Sequence, residues 1–125
     1  MIFNPFNFFT APSSGTKVQH MTPSEAALVL EESADHVLLD VRTHAEYDAG
    51  HIPGALNLPV ETLESTASDQ IPDKEKPLLI YCLSGGRARV AAQKLAQMGY
   101  TDVREFGGIM SWRGPIVTNA QDAQR

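Results

Sequence analysis

Cys82 ends an apolar run, Pro77-Leu78-Leu79-Ile80-Tyr81, and is followed by Leu83-Ser84-Gly85-Gly86-Arg87 and a segment compatible with helix. A buried strand that enters a tight, glycine-containing turn and then a helix start aims backbone N–H groups, and the positive helix end, at whatever sits in the turn. Here that group is a thiol, and each such donor stabilises the thiolate over the neutral form. Cys82 is therefore a candidate nucleophile; without the surrounding loop it would read as a small buried hydrophobe. Gly85 and Gly86 permit the backbone curl and let the main chain approach the sulfur. From Arg87 to Met98 the chain carries Arg87, Arg89 and Lys94 and no acid, a cationic neighbourhood that suits small anionic substrates. Arg89 and Lys94 by themselves fit a solvated basic helix face equally well.

These residues need a scaffold, and the flanking pattern supplies one. Val18-Gln19-His20-Met21 reads as a short strand. Thr22-Pro23-Ser24-Glu25 opens a helix, with Thr at the N-cap, Pro in the first turn and Glu closing a capping box; the helix runs to about Ser33. Val37-Leu38-Leu39-Asp40-Val41 is a strand buried on both faces. Thr43 to Ala49 gives one or two helical turns, stopped at Gly50. Ala55 to Leu58 is a short strand, Val60 to Ala67 a short helix, and Ile71 to Lys76 a polar connection. The Leu78–Tyr81 strand, the Cys82 turn and a helix from Arg87 to Met98 follow. Ala88, Ala91, Ala92, Leu95, Ala96 and Met98 form the apolar stripe of that helix, and Gly99 stops it. Val103 to Phe106 is the last strand, and Gly107-Gly108 turns the chain into a short helix, Ile109 to Arg113. Alternating strands and helices predict a single α/β domain whose central, mostly parallel, five-stranded sheet has helices on both faces. Sites in such sheets form at the carboxyl ends of strands, where Cys82 lies.

The 125 residues fit one domain, and 42% hydrophobic with 20% charged residues is ordinary for a soluble globular chain. A net charge of −5 argues against general nucleic-acid binding. No stretch approaches the roughly 18 apolar residues of a membrane span. One cysteine excludes an intrachain disulfide and fits a reducing, cytoplasmic setting. Residues 1–16 carry no charge and hold four of the five Phe. They read as a flexible tail, free or docking its rings on the domain; the alternative is a sticky segment for self-association or for a membrane or partner. The domain is placed at 17–117, followed by a polar tail, 118–125.

At this point three segments resemble a known family. Leu39-Asp40-Val41-Arg42 with Glu46-Tyr47 and Gly50-His51-Ile52-Pro53-Gly54-Ala55 is the first; Tyr81-Cys82-Leu83-Ser84-Gly85-Gly86-Arg87-Ala88 is the second; Phe106-Gly107-Gly108 with Trp112 is the third. In that order they are similar to the rhodanese-like sulfurtransferase domain, over roughly Val18 to Gly114. The resemblance implies that the Cys82 thiolate attacks the outer sulfur of a donor such as thiosulfate, becomes a persulfide, and passes the sulfur to a second thiophile in ping-pong fashion. It places Leu83, Ser84, Gly85, Gly86 and Arg87 around the substrate, with N–H groups of residues 83 to 87 encircling the sulfur, and requires neither metal nor cofactor. The implied partners are a small sulfur donor and a thiol or cyanide acceptor; a protein acceptor is compatible too. Arg87 either binds the donor's oxygens or turns back onto loop carbonyls. Ser84 either donates to the sulfur or donor or lies on the rim.

Asp40, Glu46 and His51 read as structural, since sulfur transfer from this loop needs no general base. Arg42 and Glu46, four residues apart, suit an ion pair across a helix start, and Asp40 suits hydrogen bonds to neighbouring backbone. Trp112 reads as a core or lid contact. The rivals are a phosphatase or arsenate reductase of similar fold and a non-enzymatic rhodanese-like module. The former need five residues between Cys and Arg, whereas four, Leu83 to Gly86, intervene here. The latter usually lack the cysteine or disrupt its loop.

Overall fold

The computed structural model describes residues 16–119, so the expectations for residues 1–15 and 120–125 lie outside the described residues. Along the chain come β1 (Val18–His20), α1 (Pro23–Glu32), β2 (Val37–Asp40), α2 (His44–Ala49), β3 (Leu56–Asn57), α3 (Leu63–Gln70), β4 (Leu78–Cys82), α4 (Gly86–Gln97) and β5 (Val103–Gly108). Short 3-10 turns at Val60–Thr62 and Ile109–Ser111 complete the set. The strands form one sheet in the order β1-β5-β4-β2-β3, and every pairing is parallel.

β4 lies at the centre, and all of its residues are buried. That explains its unbroken apolar run, because a central parallel strand must be covered on both faces. Its side chains alternate. Leu78, Ile80 and Cys82 join the core under α3 and α4, with Leu63, Ala67, Ala88, Ala91, Ala92 and Leu95. Leu79 and Tyr81 join the opposite core, with Ala26, Phe106 and partly buried Trp112. The apolar stripe of α4 is thus the lid of one core, and Cys82 is the last residue of that layer.

Both helices that open with Thr carry full capping boxes, Thr22 with Glu25 and Thr43 with Glu46. The second box overturns the Arg42–Glu46 pair expected from spacing. Glu46 Oε1 accepts the Thr43 N–H at 3.0 Å, so this carboxylate caps its own helix start instead of meeting Arg42. Arg42, 4% exposed, folds onto the fully buried Asp40, with Nε 3.0 Å from Oδ1 and Nη2 2.7 Å from Oδ2. A buried carboxylate demands such a partner, and Asp40 is nearer along the chain. Asp40 Oδ1 also accepts the Arg42 backbone N–H at 2.9 Å, in line with its expected hold on neighbouring backbone.

Two boundaries move. The segment from Val60 divides into a 3-10 turn and α3, which continues to Gln70. β5 continues through Gly107-Gly108 instead of turning there, because its register with β4 slips: Ile80 pairs with Glu105 but Cys82 with Gly108. The extra residue is a bulge, and Gly107 (φ 80°) adopts the positive φ that it needs.

Candidate active site

β4 delivers Cys82 to the carboxyl edge of the sheet, 1% exposed. Gly85 (φ 127°) turns the chain into α4, and its N–H donates to Cys82 Sγ at 3.0 Å. The sulfur therefore takes the acceptor's place at the head of a helix, where N–H groups lack partners of their own. Of the donors expected around the sulfur, this is the one within hydrogen-bond reach in the described geometry. The thiol itself lies 3.7 Å from the Gly107 carbonyl oxygen, to which it donates when protonated. Leu83, Ser84 and Gly86 form an exposed rim.

The far wall of the loop comes from β5. A Cβ added at Gly108 would lie 1.9 Å from the Leu83 oxygen and 2.5 Å from the Ser84 nitrogen, so only a bare α-carbon fits against that peptide. The Met110 N–H donates to the Leu83 carbonyl at 3.1 Å and clasps the loop from the same side. The bulge is held in turn by Glu105, which is 2% exposed: Oε1 accepts the Gly107 N–H at 3.0 Å, and Oε2 lies 2.6 Å from His20 Nδ1. Sequence reasoning missed Gly108 and Glu105 as supports of the loop. The available signal was a carboxylate inside a strand pattern, directly before an aromatic residue and two glycines.

Arg87, expected either on donor oxygens or on loop carbonyls, lies instead on Glu46. Nη1 is 2.7 Å from Oε1 and Nη2 3.0 Å from Oε2, a two-pronged pair joining α2 to the first turn of α4. The Arg87 hydrogen bonds hold Glu46 far below its usual range, at about 2, against the opposing effect of burial. Glu46 raises Arg87 in return, and the charge of Cys82 adds to the same effect, which places the guanidinium within the electrostatic field of the sulfur. The cationic patch is more compensated than its sequence suggests, since Lys94 also reaches an acid, Glu64, at 3.5 Å.

On the other side, the Asp40–Arg42 pair and Asn57, whose Nδ2 donates to the carbonyls of Asp40 and Arg42 at 3.0 Å each, fix the end of β2 beside Tyr81. Arg42 stacks over the Tyr81 ring at 5.7 Å. Burial, then Asp40, pushes the Tyr81 phenol well above its usual range, so it stays neutral. His51, buried, stacks on Tyr47 at 3.7 Å, and its backbone pairs with Val117, a packing role as expected. Trp112 packs 6.0 Å from Phe106 in the core on the opposite face from Cys82, which makes it a core contact. Among the described residues no group of three or more His, Cys, Asp or Glu is placed to hold a metal ion.

This arrangement can stabilise a sulfur anion at a strand end, beneath a short exposed rim of Leu83, Ser84 and Gly86. The family model for the Rhodanese-like domain matches residues 22–114. Thiosulfate sulfurtransferase PspE of Escherichia coli K12 is 34% identical over 85 residues, 68% of this chain and 81% of that protein. A sulfurtransferase of Allochromatium vinosum is 42% identical over 84 residues, 66% of this chain and 77% of that one. The solution structure of the rhodanese-like domain of Alr3790 from Anabaena superposes with a TM-score of 0.75 at 27% identity, covering 82% of this chain and 80% of that one. With the same fold and a family match over most of its length, the chain belongs to the Rhodanese-like domain family.

Proposed function

We propose that this protein is a sulfurtransferase that takes sulfane sulfur from thiosulfate or a similar donor onto Cys82 and hands it to a thiol or cyanide acceptor. The observation that carries the reading is the buried Cys82 Sγ at the head of α4 with the Gly85 N–H on it. That donor stabilises an anionic sulfur without a separate base, both as the attacking thiolate and as the persulfide. Relatives named as sulfurtransferases, matched over 81% and 77% of their own length, support the reaction class.

In the first half-reaction Sγ bonds to the outer sulfur of the donor. The donor's own S–S bond breaks, and its electron pair leaves on sulfite; Cys82 retains one negative charge as the persulfide. In the second, an external thiophile bonds to the outer sulfur, and the pair returns to Sγ. With no second cysteine in the chain, no internal disulfide resolves the persulfide, so the acceptor is external. Leu83, Ser84, Gly85 and Gly86 form the wall that meets the donor, and Arg87, held by Glu46, braces the exit of the loop. Four residues between Cys82 and Arg87 make a loop that suits one sulfur better than a tetrahedral oxyanion. No helix of the described residues is long and apolar enough to cross a membrane, and the reducing cytoplasm is the proposed setting for the lone thiol.

Intact-mass measurement after thiosulfate treatment tests the proposal. One added sulfur is expected on the native chain and none on Cys82→Ser, which stays folded. Absence of an adduct with every sulfane donor tried, together with phosphatase turnover, overturns it.

A further inference from the structure

We propose that Arg89 reads the charge of the donor and makes the site selective for small anionic donors over donors with an uncharged leaving end. The inference rests on the sulfurtransferase reading and deepens it. Of the three cations on α4, two are already matched: Arg87 by Glu46 through two hydrogen bonds, and Lys94 by Glu64. Glu61 lies close enough to Arg87 to act on it electrostatically as well. The Arg89 side chain makes no hydrogen bond or ion pair among the described residues and is exposed, while its backbone N–H donates to the Gly85 carbonyl at 3.0 Å.

Its side chain is nevertheless placed at the loop. Arg89 Nη1 lies 3.2 Å from where a Cβ on Gly85 would sit, and the same point is 3.5 Å from the Gly107 α-carbon. These two glycines line the sulfur: the Gly85 N–H donates to Sγ at 3.0 Å, and the Gly107 carbonyl oxygen is 3.7 Å from it. Through those links the guanidinium stands no more than about 9 Å from Sγ. The absence of a side chain at Gly85 leaves room for the guanidinium to lie against bare backbone.

A sulfonate or similar oxyanion end presents paired oxygens that match the guanidinium fork. With the donor's outer sulfur on Sγ, the oxygens extend away from the loop floor, and of the cations on α4 Arg89 is the one left unmatched to meet them. The attack leaves two negative charges on the departing sulfite, so the same contact also favours leaving-group departure. Arg87 cannot serve equally without giving up Glu46.

The test compares kcat/KM of the full chain and its Arg89→Ala, Arg89→Lys and Arg89→Glu variants with two donors. One is thiosulfate; the other is 2-hydroxyethyl persulfide, whose leaving end is uncharged until the S–S bond breaks and then departs as a thiolate without oxyanion oxygens. Arg89→Ala is expected to lower kcat/KM for thiosulfate about tenfold, mainly through KM, with Arg89→Glu lower still and Arg89→Lys between Ala and the native chain. The persulfide reaction should change by less than about twofold, and the fall of the native thiosulfate rate with added salt should flatten in Arg89→Ala. Equal rates in native and variant chains with thiosulfate, or equal losses with both donors, overturn the proposal. A native chain that takes sulfur from the persulfide but not from thiosulfate overturns it while leaving sulfur transfer intact. Loading from neither donor overturns both.

Discussion

Protonating Glu46 would cut two connections at once, because its carboxylate both caps α2 and holds Arg87. Its value is lowered from 4.5 to about 2 in the native state, with the Arg87 hydrogen bonds as the leading cause. Between those values the unfolded chain binds more protons than the folded one. The stabilisation is therefore complete above about pH 4.5 and is lost as pH falls toward 2. Glu46→Gln should cost about 1 kcal/mol at pH 7, a modest figure because both side chains are nearly one-third exposed. Urea unfolding of native and variant chains at several pH values checks this: the difference should close as pH approaches 2, and a pH-independent difference would contradict the pairing. Glu46 and Arg87 are each conspicuous in sequence, yet their partnership spans 41 positions and follows no helical or strand period. What spacing suggested instead, Arg42 with Glu46, failed because a capping box and a buried Asp40 both competed for these side chains.

At the scale of elements, the loop depends on a strand that the sequence appeared to end too soon. Gly107-Gly108 reads locally as a turn, but the bulge carries β5 on until Gly108 abuts the Leu83–Ser84 peptide. Gly108→Ala would place a methyl group 1.9 Å from a backbone oxygen, and neither backbone can yield without moving the sulfur's loop. We expect kcat/KM for sulfur transfer to fall at least about tenfold and stability to fall by about 1–3 kcal/mol. Steady-state kinetics alongside thermal unfolding check both; unchanged activity would show that the loop does not need this wall. The start of α2 offers a milder perturbation. Thr43→Ala removes the hydroxyl that accepts the Glu46 N–H at 3.2 Å and should cost about 1 kcal/mol, measured as a shift in the urea midpoint. The capping box at Thr22 was legible because it is written within four residues, and the one at Thr43 was missed because spacing paired Glu46 with Arg42; a bulge is defined only against the neighbouring strand.

Taken whole, the molecule separates stability from chemistry by layer. The core beneath α3 and α4 is filled by Leu63, Leu78, Ile80, Leu95 and Tyr100, all fully buried, and only its upper edge reaches Cys82. The Tyr100 hydroxyl lies 3.1 and 2.7 Å from the Ala67 and Ile71 carbonyls, tying the end of α3 to the turn that follows α4. Leu95→Ala should open a cavity and cost about 2–5 kcal/mol. Sulfur transfer per folded molecule, measured well below the unfolding temperature, should remain near native. A loss of turnover without a loss of stability would mean that this layer positions the loop more directly than its packing suggests.

By itself the sequence determined the place of Cys82 at a strand end, the length of its loop, the alternation of strand and helix, and the capping box at Thr22. Each of these is encoded in hydrophobic period, glycine placement or side-chain chemistry within a few residues, so no knowledge of the rest of the chain is needed. Tertiary structure decided the pairings: Arg87 with Glu46, Arg42 with Asp40, Gly108 against Leu83 and Glu105 beneath the bulge. Those contacts depend on strand order and register, which bring distant segments to one edge of the sheet. The same geometry that occupies Arg87 and Lys94 leaves Arg89 unmatched against Gly85 of the sulfur's loop, a distinction between three similar cations that no local pattern contains.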